Sequence, residues 1–266
     1  MNNLVLGRYI DGNSIVHRMD ARAKIILSLY FIVIVFLCNN WQTYTVLSLF
    51  TIICVALSKI KLSYFLKGMK PLIGLILITT VLQLFFTSGG TVYWHWKFLQ
   101  LTSYGIVNSI YIFIRIILIV FISTLLTATT TPLEIADGIG SLMAPLRKLK
   151  APVDEIALMI SIALRFIPTL MDETQRIINA QRSRGVDFGE GNIFHQAKML
   201  LPILIPLFVD SIKRAEDLAI AMEARGYQGG VGRTKFRVQK WHLYDTIAFI
   251  VFISITGLLF LLRTRW

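Results

Sequence analysis

The chain has 266 residues, of which 55% are hydrophobic, and a formal net charge of +12. Soluble domains average about 45–50% apolar residues even when glycine is counted, so this composition and a mean hydropathy of +0.66 indicate a membrane protein. The basic residues lie between apolar runs, which is typical of membrane topology and argues against a nucleic-acid-binding protein.

Residues 1–128 are predicted to form a membrane domain with four spans. A helix needs about 20 apolar residues to cross a bilayer, within a range of about 17–25. The spans are predicted near 25–38, 43–58, 71–88 and 105–128. The stretch between the third and the fourth, SGGTVYWHWKFLQLTSYG, is rich in glycine and aromatic residues and is predicted to be an outer loop or a small hairpin at the interface.

Lysine and arginine set the predicted orientation, because they concentrate in cytoplasmic loops. Four of them precede the first span, and four more separate the second span from the third. They are Arg8, Arg18, Arg22 and Lys24, and Lys59, Lys61, Lys67 and Lys70. The N-terminus and the second connection are therefore expected in the cytoplasm. Residues 241–266 are predicted to form the final transmembrane helix, which leaves the side of the C-terminal RTRW open.

Residues 129–240 differ from the rest, because they hold 12 of the 15 acidic residues and 15 of the 27 basic ones. Apolar residues recur there at steps of three and four, which predicts amphipathic helices in a cytoplasmic region. The helices are predicted over 132–149, 152–184 and 192–225. Three interior prolines are expected to bend or break the last two helices: Pro168, Pro202 and Pro206. The predicted fold class is an all-α integral membrane protein with about five transmembrane helices and three long amphipathic helices.

The last two predicted helices end alike, in AQRSRG (Ala180 to Gly185) and AMEARG (Ala221 to Gly226). A single such end is explained by helix capping, since arginine complements the dipole and glycine terminates the helix. Two matched ends also suit two equivalent acceptor sites on partners, because the guanidinium group is a rigid fork of donors. The candidate docking residues are Ser183, Arg184, Gly185, Ala224, Arg225 and Gly226.

Four stretches give the chain a likeness to a known family: HRMDARAKI, TPLEIADGIGSLMAPLRKL, ALMISIALRFIPTL, and the SRG and ARG pair. Through these the chain resembles EcfT, the transmembrane coupling subunit of the energy-coupling factor (ECF) transporters that import vitamins into prokaryotes. The resemblance covers almost the whole chain. It departs from the family pattern at Ser183, where alanine is usual, and at Ala21, where proline is common.

The resemblance implies two kinds of partner in the plasma membrane of a prokaryote. Arg184 and Arg225 would each dock on one of two ABC-type ATPase subunits. A separate integral membrane subunit would bind the substrate, and the chain itself would need no cofactor and catalyse no reaction. The sequence agrees with the expectation of separate ATPase subunits. It contains no GxxxxGK[ST] phosphate-binding loop, so any ATPase must be another chain.

Two alternative transport functions remain open from the sequence. LEIADGIG (Leu133 to Gly140) is somewhat similar to the coupling loop of the permeases of ordinary ABC importers. A stand-alone secondary carrier is disfavoured, because such carriers usually place carboxylates or broken helices at mid-membrane and the clear spans lack Asp and Glu. Arg115, a charge well inside a span, either has a transport role or bonds within the helix bundle.

Overall fold

The computed structural model describes residues 9–96, 99–149, 152–186, 193–229 and 239–263. Arg8, Lys97, Asn192 and residues 264–266, including most of the RTRW segment, lie outside these ranges. The helices are α1 (Ile15–Arg18), α2 (Ala21–Val35), α3 (Trp41–Ser58), α4 (Leu62–Met69), α5 (Ile73–Phe86), α6 (Ser103–Thr129), α7 (Pro132–Leu142), α8 (Val153–Ser183), α9 (Ile193–Ala224) and α10 (Leu243–Leu262). Short 3-10 helices, Lys70–Leu72 and Ala144–Leu149, follow α4 and α7.

Among the described residues, four helical segments are long and apolar enough to cross a membrane. They are Trp41–Ser58, Leu62–Phe86, Ser103–Thr129 and Leu243–Leu262. The helix α2 is similarly apolar but has only 15 residues. The predicted class, an all-α integral membrane protein, is confirmed. The aromatic stretch forms an antiparallel hairpin of β1 (Val92–Trp96) and β2 (Leu99–Thr102).

The chain divides into two compact units: Met1–Gly138 with Val238–Trp266, and Ile139–Arg237. The core of the first unit is built from α2, α3, α6 and α10 around a group of aromatic rings. Phe252 of α10 meets the ring of Phe50 edge-on at a centroid distance of 5.0 Å, and Phe31 of α2 contacts both rings. These contacts join helices that are far apart in the sequence.

The helices of the first unit expose large apolar side chains on their outer faces. Examples are Leu29 and Val33 on α2, Ile52 on α3, Ile78 on α5 and Ile253 on α10. Exposed apolar residues over several neighbouring helices are expected where lipid, and not water, surrounds the protein. The pattern therefore agrees with a membrane location for this unit.

A buried polar junction joins the start of α2 to the start of α10. Asp245, which is fully buried, accepts hydrogen bonds from the backbone N–H of Asp20 at 3.0 Å and of His242 at 2.8 Å. Asp20 in turn caps α2 by accepting from the backbone N–H of Arg22, and it pairs with the Arg22 guanidinium at 2.7 Å. These bonds give the HRMDARAKI stretch a structural role at the entry to the first apolar helix.

Lys24 extends this junction to the end of α6. Its ammonium group donates to the backbone carbonyl of Thr129 at 2.9 Å and to that of His17 at 3.2 Å. A positive charge at the last carbonyls of a helix is favourable, because those carbonyls lack partners within the helix and carry the negative end of its dipole. The polar junction therefore also anchors the end of α6.

Arg115 bonds within the helix bundle. Its guanidinium donates to the hydroxyl of Tyr44 on α3 at 3.1 Å and 2.7 Å. It also lies over the ring of Phe36, 5.2 Å from the centroid, which is a cation–π arrangement. The Tyr44 ring is stacked on Tyr111 at 4.8 Å. The charge inside α6 is thus held by protein groups on two neighbouring elements.

The second unit contains α8 and α9. The bounds of α8 differ by one residue at each end from the predicted helix, and α9 ends one residue before its predicted end, while its predicted start, Asn192, lies outside the described residues. Of the expectation that the prolines bend or break these helices, the break is wrong, because α8 continues through Pro168 and α9 through Pro202 and Pro206. Pro206 has no N–H to donate to the carbonyl of Pro202. The side-chain amide of Gln181 on α8 lies 3.5 Å from that carbonyl and supplies a donor in its place.

The predicted helix over 132–149 is shorter than expected: α7 ends at Leu142.

Candidate functional site

The helices α8 and α9 run antiparallel in the second unit. Glu173 of α8 lies 3.8 Å from the guanidinium of Arg214 on α9, which also pairs with Asp210 at 2.7 Å. Further along α8, Gln181 faces Pro202, which comes earlier on α9. Because contacts move forward on one helix as they move back on the other, the C-terminal ends of the two helices lie at opposite ends of the pair.

The end of α8 is a Schellman cap. Gly185 has φ +84° and donates to the carbonyl of Arg182 at 3.0 Å, and Val186 donates to the carbonyl of Gln181 at 3.1 Å. This pair of bonds requires a residue in the left-handed region after the last helical turn, which glycine adopts without steric cost. The geometry makes Arg184 the C-cap residue.

The end of α9 repeats the same cap. Gly226 has φ +75° and donates to the carbonyl of Glu223 at 2.9 Å, while Tyr227 donates to the carbonyl of Met222 at 3.0 Å. Arg225 therefore occupies the position that Arg184 occupies on α8. The two ends match in backbone geometry as well as in sequence, which extends the likeness between SRG and ARG to three dimensions.

All six predicted docking residues are exposed. Within the described part of the chain, neither Arg184 nor Arg225 pairs with a carboxylate or donates a side-chain hydrogen bond. The hydroxyl of Ser183 donates back to the carbonyl of Asn179 at 3.1 Å, so this serine presents little more to a partner than an alanine would. Each end thus offers a guanidinium fork, with its donors available, beside a small residue and a glycine.

The structure brings Ser183, Arg184 and Gly185 together at one end, and Ala224, Arg225 and Gly226 at the other. It does not bring the two sets together. Between the two arginines lies most of the length of an antiparallel helix pair, and at 1.5 Å per residue this corresponds to roughly 35 Å. A single small pocket on one partner cannot hold both arginines, so the geometry suits two separate contacts.

An apolar groove of about 320 Å³ lies between α8 and α9. Its lining includes Ile162 and Phe166 from α8 and Leu218 and Met222 from α9.

The polar contacts of Arg214 and Gln181 that join the two helices were not predicted from the sequence. The proline at position 206, which frees a carbonyl, was the signal that would have suggested a donor from a neighbouring helix.

Apolar helices with exposed outer faces, held together by aromatic and polar contacts between spans, define an all-α integral membrane protein. A family model described as cobalt transport protein, CbiQ, matches residues 12–238. The chain therefore belongs to this family.

Curated relatives match the chain over nearly its full length. An energy-coupling factor transporter transmembrane protein EcfT of Lacticaseibacillus paracasei is 57% identical over 263 residues, which cover 99% of this chain and 100% of the relative. A protein EcfT 1 of Listeria monocytogenes is 54% identical, with 99% of both chains covered. The EcfT of Bacillus subtilis is 49% identical, again with 99% of both chains covered. The chain thus belongs to the family of transmembrane components of energy-coupling factor transporters.

Proposed function

We propose that this protein is the coupling subunit of an ATP-driven importer of vitamins or other micronutrients in a prokaryotic plasma membrane. In this function it transmits the movement of two ABC-type ATPase subunits to a separate integral membrane subunit that binds the substrate. The chain binds no nucleotide and no substrate itself. The names of its relatives and the matched arginine ends support the proposal.

Arg184 and Arg225 are proposed to dock on the two ATPases, one arginine on each. The observation that carries this proposal is that both are exposed C-cap residues at opposite ends of one antiparallel helix pair. Two similar ATPase subunits would offer two similar grooves. Each of the two matched helix ends would fit one of these grooves. Carboxylates and backbone carbonyls in such a groove would accept hydrogen bonds from the guanidinium forks.

The helix pair is proposed to act as a rod that carries force between the two docking points. When ATP draws the two ATPases together, both helix ends have to move with them. The contacts of Arg214 with Glu173 and of Gln181 with Pro202 join α8 to α9 and would resist sliding of one helix along the other. Movement of the pair would then tilt the substrate-binding subunit, which packs on apolar helix faces, and release its cargo inside the cell.

The proposed orientation places the N-terminus and residues 129–240 in the cytoplasm, where the ATPases are. The lysine and arginine clusters at the N-terminus and after α3 support this side. Large exposed apolar side chains on α9, among them Leu204, Ile205 and Phe208, are a surface on which a membrane subunit can pack.

The size of the arginine contribution can be bounded. Truncating one partner of a buried, hydrogen-bonded charge pair costs about 2–5 kcal/mol, which is about thirtyfold to several thousandfold in affinity. Lysine keeps the charge but loses the planar fork, so Arg184→Lys and Arg225→Lys are expected to restore docking only in part.

The test is substrate uptake by proteoliposomes that contain this chain, both ATPases and one substrate-binding subunit. Arg184→Ala and Arg225→Ala are each expected to reduce ATP-dependent uptake sharply, whereas the matched control Arg182→Ala, an exposed arginine in the same last turn of α8, keeps it. Full uptake in both arginine variants contradicts the proposal. Uptake by this chain reconstituted alone would instead establish a secondary carrier.

A further inference from the structure

A cationic cleft of about 400 Å³ lies in the first unit, where α3 ends and α4 begins. Three lysines line it, Lys59, Lys61 and Lys67, together with His17 and one carboxylate, Asp11. The volume falls in the range of small-ligand sites, about 300–1,000 Å³. Three ammonium groups against one carboxylate make this a cleft for an anion.

The side chains of these three lysines make no polar contact with the described part of the chain. All three are exposed, and within the described residues none forms an ion pair or a side-chain hydrogen bond. His17, by contrast, is used on both ring nitrogens, which contact the carbonyl of Ile10 at 3.0 Å and the hydroxyl of Ser14 at 2.7 Å. The positive charge of the cleft is therefore available to a ligand from outside the chain.

Lys59 adopts a backbone conformation that does not favour a side chain. It has φ 57° and ψ 18°, and among the described residues it is the one non-glycine residue with a positive φ. Glycine is the usual residue where a helix ends in this conformation, as it is at the ends of α8 and α9. Lysine at this position is less favourable for the backbone than glycine, but it places an ammonium group at the cleft.

The surroundings of the cleft are those of a membrane interface. It lies at the end of α3 and the start of the Leu62–Phe86 segment, both of which are long and apolar enough to cross a bilayer. The first helix of that segment, α4, is amphipathic: Leu62 and Leu66 are exposed on it, and Lys67 lines the cleft. Helices of this kind lie at the level of lipid headgroups, with apolar side chains among the acyl chains.

We propose that this cleft binds the phosphate-bearing headgroup of an anionic phospholipid, with Lys59, Lys61 and Lys67 as its ligands. The acyl chains would lie along the exposed leucines of α4. Free phosphate shares the headgroup chemistry, but it would gain nothing from the apolar surface beside the cleft. The site is independent of ATPase docking, because it needs only that α3 and α4 meet the membrane surface.

The test measures lipid retained on the purified full-length chain by native mass spectrometry, with added phosphatidylglycerol or phosphatidylcholine. The wild-type chain is expected to retain phosphatidylglycerol in preference to phosphatidylcholine. Replacing the three lysines by glutamine is expected to reduce that retention roughly tenfold or more, since each lysine near a membrane surface contributes about fivefold. The matched control replaces Lys148, Lys198 and Lys213 of the second unit by glutamine and is expected to retain the lipid.

Lys59→Gly separates the lipid role from a structural one. Glycine relieves the left-handed backbone, so the variant is expected to be as stable to heat as the wild type while phosphatidylglycerol retention falls about fivefold. Unchanged retention in Lys59→Gly and in the triple variant overturns the proposal. Displacement of the lipid by inorganic phosphate at equal concentration also overturns it, because the site then belongs to free phosphate.

Discussion

Arg184 and Arg225 occupy the same capping position on two helices and lie at opposite ends of the antiparallel pair that those helices form. Each is followed by a glycine in the left-handed conformation. An arginine that only completes a helix cap needs neither a duplicate nor a matching geometry. The relationship suits the two-ended connector proposed above, and the variants below test that proposal and the stability of the first unit.

The two glycines are expected to be required for the direction in which the arginines project. Alanine in the left-handed conformation costs about 1–2 kcal/mol, so Gly185→Ala and Gly226→Ala should rearrange the caps and weaken ATPase binding. Asparagine tolerates this conformation, and Gly185→Asn and Gly226→Asn should therefore bind better than the alanine variants. Affinity measured by pull-down of the purified ATPases checks this order. Equal binding by the alanine and asparagine variants would show that cap geometry does not matter for docking.

The buried junction at Asp245 is expected to be a main source of stability for the first unit. Asp245→Ala leaves the backbone N–H groups of Asp20 and His242 without their acceptor, at about 1–3 kcal/mol each, or about 2–6 kcal/mol together. Asp245→Asn keeps one oxygen and should lose about half as much. Thermal unfolding in detergent measures the effect, with the exposed Asp172→Ala as a control. An unfolding temperature for Asp245→Ala equal to that of the wild type would contradict the account of the junction.

Arg115 is expected to act through Tyr44 as a structural contact between α6 and α3. In a double-mutant cycle of Arg115→Met with Tyr44→Phe, the two changes should be coupled by about 0.5–2 kcal/mol, since both remove the same hydrogen bonds. Phenylalanine preserves the stacking on Tyr111. Arg115→Met with Tyr30→Phe, whose hydroxyl contacts Thr256, is the control and should be additive. Additive behaviour of the Tyr44 pair as well would remove the structural role of this arginine.

Much of the fold follows from the sequence, because helix periodicity and apolar length are local properties. The spacing of apolar residues predicted both ends of α8 and the C-terminal end of α9 to within one residue. It could not predict that Gln181, on another helix, donates to the Pro202 carbonyl that Pro206 leaves without its helix partner. The burial of Asp245 depends in the same way on Asp20, which is 225 positions away.

The candidate site was predictable as two capped helix ends, since an arginine followed by glycine is a local signal. The sequence could not show that the two ends point to opposite ends of a helix pair. That arrangement is set by contacts between the helices, such as that of Arg214 with Glu173, and contacts of this kind have no local pattern. Exposure of the arginines is likewise a property of the folded chain.

The most direct measurement of the central claim is the affinity of the purified ATPase pair for this chain carrying both Arg184→Ala and Arg225→Ala. The account predicts a loss of at least about thirtyfold, with the membrane unit still folded and with Arg182→Ala binding as the wild type does. An affinity for the double variant that equals that of the wild-type chain would contradict it.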